Sequence, residues 1–105
     1  ERSWHFVALE NDNVIGCAVL VPSEEHKSLA QLIQMAVDPD VQGKGVGQLL
    51  LKEIITFAKS KSLKEIQCHS RHYAVDFYKK ADFTTYGETF TEVGIPHNHM
   101  KLELH

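Results

Sequence analysis

The sequence is poor in several things that would have narrowed its class at once. It has two cysteines, Cys17 and Cys68, far apart and set in apolar stretches, with no CxxC pair. That excludes a disulfide framework and a zinc ribbon, and the two read as buried, reduced thiols of a cytoplasmic protein. No apolar run approaches the roughly 18 residues that a membrane span requires. The opening Glu-Arg-Ser-Trp-His is polar and charged, so no signal peptide is expected. The first residue is not Met, which fits a piece of a longer chain. Positive charge is also scarce: 11 Lys and Arg against 14 Asp and Glu give a net charge of -3. A nucleic-acid platform needs a basic face, so that class is set aside.

What is present is ordinary for one globular domain over residues 1–105. The chain is 43% hydrophobic and 24% charged, without repeats, low-complexity tracts or a dividing linker. Such a length buries a core without staples. Residues 5–10 and 14–21 alternate around the turn-forming Asn11-Asp12-Asn13 and read as a hairpin. Residues 29–37 read as a central strand covered on both faces. The clearest helix is 46–60, where Val46, Leu50, Ile54, Phe57 and Ala58 recur at helical spacing. Strand 63–70, a second helix over 72–81 and strands 83–92 and 97–104 follow, with Val93-Gly94-Ile95-Pro96 as the last connection. The expected order is β-β-β-α-β-α-β-β, a mixed α/β sheet. Trp4, Phe6, Phe83 and Phe90 are expected in the core.

The chemistry concentrates in Gln42-Gly43-Lys44-Gly45-Val46-Gly47, between a strand and a helix start. Glycine lets backbone N–H groups approach an anion, and a helix start adds unpaired donors and a positive dipole end. The loop is therefore expected to cradle a phosphate. It lacks the Lys-Ser/Thr pair of a Walker A loop, and the sixth position from Gly43 or Gly45 is Gln48 or Leu50, so the dinucleotide fingerprint fails too. His97 and His99 could share a strand face, but spacing offers no third ligand, and no metal is expected.

The stretch Val37-Asp38-Pro39-Asp40-Val41-Gln42-Gly43-Lys44-Gly45-Val46-Gly47-Gln48-Leu49-Leu50 resembles the acetyl-CoA motif of the GCN5-related N-acetyltransferases. Its core, [Q/R]-x-x-G-x-[G/A], is matched by Gln42, Gly45 and Gly47. Ala74-Val75-Asp76-Phe77-Tyr78-Lys79-Lys80-Ala81-Asp82-Phe83 resembles the A-x-x-F-Y-x-K-x-G-F segment of that family, with Asp82 where a helix-ending Gly is usual. The tail from Gly87 through Gly94-Ile95-Pro96-His97 to Met100 is similar to the ElaA-like subgroup. The resemblance implies a GNAT core: a mixed, mostly antiparallel sheet flanked by two helices, without the strand and helices that usually open the fold and wall the acceptor side. A non-catalytic acyl-CoA-binding module is the alternative function.

By that resemblance the cosubstrate is acetyl-CoA, and transfer to a small-molecule or peptide amine is direct, within a ternary complex. Backbone N–H groups of Gln42, Gly43, Lys44, Gly45, Val46 and Gly47 would hold the pyrophosphate, with Lys44 adding charge. The backbone of Val37 would bind the pantetheine arm and polarise the thioester carbonyl. Tyr78 matches the usual general acid. His69, His97 and Glu92 are the candidate bases, and a water relay is the alternative to all three. The strand starting at His5 leaves an edge that an upstream segment or a partner subunit would cover, a homodimer being the simplest closed form.

Overall fold

The computed structural model describes residues 2–105. Strands β1 (Trp4–Glu10) and β2 (Asn13–Pro22) form the first hairpin. Their turn residues Asn11 and Asp12 both have positive φ, 51° and 69°, the backbone of a two-residue hairpin turn that short polar side chains tolerate. Strand β3 (Leu29–Val37) runs antiparallel to β2 and parallel to β4 (Glu65–Arg71). The last hairpin is β5 (Thr84–Glu92) and β6 (Ile95–Glu103). The sheet order is β1-β2-β3-β4-β6-β5, with β1 at an edge. The expected four-residue connection before β6 shrinks to Val93-Gly94, because Ile95 already pairs with Glu92. Pro96 lies beyond the last partner of β4, His97, so its missing N–H breaks no bond there.

Helix α1 (Val46–Ser60) stands as its periodicity predicts. The second helix is shorter than expected: a 3₁₀ turn, His72–Ala74, leads into α2 (Val75–Lys79), only five residues long. Its end is set by Asp82, whose φ is 72°. The N–H groups of Ala81 and Phe83 both turn back to the Tyr78 carbonyl, which closes the last turn. A left-handed backbone costs an L-residue with a Cβ roughly 1–2 kcal/mol, partly offset by the extra freedom glycine has when unfolded. Asp82→Gly is therefore expected to stabilise the fold by about 0.5–1 kcal/mol, read as a rise of a few degrees in Tm. An unchanged or lower Tm would show that the Asp82 side chain contributes more than its strain costs.

Both helices pack on one face of the sheet. Leu50, Leu51, Ile54 and Ala58 of α1 and Tyr78 of α2 join Leu20, Leu32, Ile66, Cys68, Phe83 and Met100 in one core. Leu51 is fully buried although it falls outside the apolar stripe read from the sequence. Trp4 and Phe6 meet Phe57 edge-on, at 5.1 and 5.3 Å between centroids. On its opposite face β3 is open among the described residues, so the expectation that it is covered on both faces is corrected. Gln34 and Ala36 are exposed, and Ile33 is 51% exposed. Phe90 is corrected for the same reason: it lies on that open face, outside the core.

Candidate active site

A β-bulge opens the site. Val19 pairs with Gln34 and Leu20 with Leu32, so Ile33 is an extra residue on β3. Such a residue bends its strand away from the regular ladder. The parallel pairing of β3 with β4 accordingly stops at Leu32 and Cys68. Beyond that point the two strands diverge, and a cleft of about 1110 Å³ runs between them. It exceeds the roughly 300–1,000 Å³ of common small-molecule sites, so it suits a long ligand. Val37, Gln42, Gly43, Gly45, Val46, Gly47, Tyr78, His69, Glu92 and His97 all line it. Of the residues singled out from the sequence, Lys44 does not; it is exposed.

The loop at one wall is built to present N–H groups. Asp38 caps the short turn Pro39–Val41 by accepting from the Asp40 N–H at 2.9 Å, and Val41 is buried beneath it. Gln42 Nε2 donates to the Val37 carbonyl at 3.1 Å, tying the loop to the end of β3. Gly43 and Gly45 both have φ of 85°, and an added Cβ at either would meet nothing within 4 Å. The first α1 bond runs from the Leu49 N–H to Gly45. Among the described residues, the N–H groups of Gly43, Gly45, Val46, Gly47 and Gln48 have no backbone acceptor. Five unpaired donors at a helix N-terminus suit a pyrophosphate.

The opposite wall carries Tyr78, only 7% exposed and edge-on to Phe77 and Phe83. Among the described residues its hydroxyl has no hydrogen-bond partner, and no buried side-chain oxygen or nitrogen is left unpartnered. The hydroxyl therefore opens on the cleft. Burial, and then the proximity of Cys68, raises the phenol above its ordinary value, so it stays protonated through the neutral range.

Cys68 lies beneath it, and burial pushes its thiol from 9.0 up to about 12. Below pH 9 the thiol is neutral folded and unfolded, and stability is full. As pH rises from 9 toward 12 only the unfolded chain ionises, and stability falls by up to about 1.4 kcal/mol per pH unit. Tm should thus drop between pH 8 and pH 10, and Cys68→Ala should flatten that slope. Parallel slopes for the two proteins would refute the assignment.

The open face completes the site. His69 Nδ1 lies 3.3 Å from Glu92 Oε1, both about half exposed. His97 is buried, and its Nδ1 sits 2.8 Å from the Ile95 carbonyl, which can only accept, so Nδ1 carries the proton. Phe90 stacks on His97 and His99, at 5.7 and 4.3 Å, and His69 meets Phe90 edge-on. Sequence reading missed Gln48, whose Nε2 donates to the Phe77 carbonyl at 2.8 Å. A polar residue in the first turn of an otherwise apolar helix stretch was its only signal. No group of three or more His, Cys, Asp or Glu is set to hold a metal ion among the described residues.

Solved structures share this fold. ElaA of Escherichia coli superposes with a TM-score of 0.86 at 21% identity, covering 94% of this chain and 67% of its own. A GNAT family acetyltransferase of Elizabethkingia anophelis, solved with acetyl-CoA bound, has a TM-score of 0.80 at 26% identity over 95% of this chain and 75% of its own. A UPF0039 protein of Schizosaccharomyces pombe is 30% identical over 96 residues, which is 90% of this chain and 63% of the yeast protein. The chain thus spans under two thirds of that relative's length. The acetyltransferase (GNAT) domain family matches residues 1–104, and with the glycine loop and the Phe-Tyr helix in the order its motifs take, the chain belongs to it.

Proposed function

We propose that this chain is the catalytic domain of an acetyl-CoA-dependent N-acetyltransferase acting on a primary amine. The observation that carries the reading is the convergence, in one cleft, of five unpaired N–H donors, the free Tyr78 hydroxyl and the His69–Glu92 pair. The neighbour from Elizabethkingia anophelis, solved with acetyl-CoA, supports the choice of ligand.

The donors of Gly43, Gly45, Val46, Gly47 and Gln48 hold the pyrophosphate, and exposed Lys44 adds positive charge outside the cleft lining. The Asp38 N–H donates to Ile15, toward β2. Successive amides of a strand alternate in direction, so the Val37 N–H points the other way, into the split. There it takes the pantetheine arm or the thioester carbonyl, where it stabilises the charge developing on oxygen. The amine nitrogen bonds to the carbonyl carbon, the carbon–sulfur bond breaks, Tyr78 protonates the leaving thiolate, and the second proton, which the nitrogen sheds on becoming an amide, restores the phenol. An ammonium has no lone pair, so the amine gives up a proton first. His69 takes it at Nε2, because Nδ1–H donates to Glu92 and leaves Nε2 with its lone pair free. His97 has no carboxylate beside Nδ1 and is buried, which favours His69 as base.

Calorimetry with CoA and with ATP, followed by acetyl transfer to a panel of primary amines, tests the reading. CoA binding and amine-dependent CoA release are expected. Binding without transfer to any amine would leave the non-catalytic acyl-CoA module, and preference for ATP would remove both.

A further inference from the structure

We propose that Gln48 is a positioning residue that holds the Tyr78 hydroxyl at its place in the cleft, an inference that rests on Tyr78 being the acid. Helix α2 has five residues and no side-chain cap at Ala74. A single turn does not hold its own orientation in water, so this one is fixed from outside. Two contacts from the first turn of α1 do so, and both fall on Phe77, the residue before Tyr78.

The first contact is steric. Gly47 lies so close to the Phe77 ring that an added Cβ would stand 2.8 Å from it. The second is polar. In a continuing helix the Ala81 N–H would take the Phe77 carbonyl. Here Ala81 donates to Tyr78 instead, because Asp82 turns the chain. The orphaned Phe77 carbonyl accepts from Gln48 Nε2 at 2.8 Å, in a partly buried position. A hydrogen bond that satisfies a semi-buried carbonyl is costly to lose. The turn that presents the loop donors therefore also grips the peptide next to the phenol. Gln48 acts on the acid through the backbone, without touching the reacting atoms.

Hydroxylamine is the acceptor for the test, with CoA release followed by a thiol reagent. It is largely neutral at pH 7, so it needs no base, and the assay reports on the acid. Gln48→Leu keeps the size and removes the donor. Its kcat is expected to fall about 10-fold, with KM for acetyl-CoA within about twofold of wild type. Gln48→Glu, of the same shape but an acceptor toward a carbonyl, should fall at least as far. Either variant, checked as folded by its Tm, serves the decisive measurement, a cycle with Tyr78→Phe. In that background the Gln48 substitution should change kcat by less than about twofold, since the group it positions is gone. An equal loss in both backgrounds, a loss confined to KM, or unchanged kcat in the Gln48 variants overturns the proposal. A wild-type kcat for Tyr78→Phe alone overturns the acid reading and this inference with it.

Discussion

Tyr78→Phe is expected to lower kcat by about 10²-fold or more while leaving KM for acetyl-CoA nearly unchanged. The substitution removes one oxygen and keeps the ring, whose edge-on contacts with Phe77 and Phe83 lie at 5.0 and 5.4 Å. The fold therefore has no reason to change, and a fall in kcat reads the hydroxyl alone. The raised phenol is at first sight a weak donor to a thiolate. Yet a sulfur leaving within hydrogen-bond reach of the buried Tyr78 would be desolvated as well, and desolvation raises a thiol as it raises a phenol. Donor and acceptor rise together, so the transfer stays nearly balanced. Because Tyr78 stays neutral well above pH 9, it should add no downward break to the kcat profile between pH 7 and 9. Steady-state CoA release at saturating acetyl-CoA measures both effects. A wild-type kcat would make Tyr78 a packing residue.

The parts of this site that were legible in the sequence are those fixed by local physics. Gly43, Gly45 and Gly47 announced a backbone that must turn and be approached closely, and the period of Val46, Leu50 and Ile54 announced the helix behind them. Motif order then supplied the expected fold and the role of Tyr78. What stayed hidden depends on register between segments distant in sequence. Ile33 looks like any strand residue until its place opposite Val19 and Leu20 shows the bulge. His69 and Glu92 sit on strands separated by β6, so their meeting follows from topology alone. Gln48 and Phe77 are 29 residues apart. Phe90 read as core because its hydrophobicity was visible, whereas the placing of both helices on the other face was not.

Gly45 and Gly47 differ, and substituting each should separate their tasks. Gly45→Val is expected to weaken CoA binding by at least about 10²-fold while the protein remains folded. A Cβ at Gly45 meets no atom within 4 Å, so no packing is lost. The difficulty lies in φ, which is 85°. A β-branched residue there bears at least the roughly 1–2 kcal/mol cost of a left-handed backbone, and an exposed loop relieves it by leaving that conformation. Once φ changes, the N–H groups of Gly45 and Val46 no longer point with those of Gly47 and Gln48. Losing two charge-assisted hydrogen bonds, each worth roughly 1.5–3 kcal/mol, removes about 10²-fold or more in affinity. Gly47→Val should behave differently. Its Cβ would stand 2.8 Å from Phe77 Cε1, so it destabilises the fold and displaces α2, and kcat falls with affinity. Calorimetry with CoA beside thermal unfolding distinguishes the two. A folded Gly45→Val protein with wild-type affinity for CoA would mean that this loop does not hold the pyrophosphate.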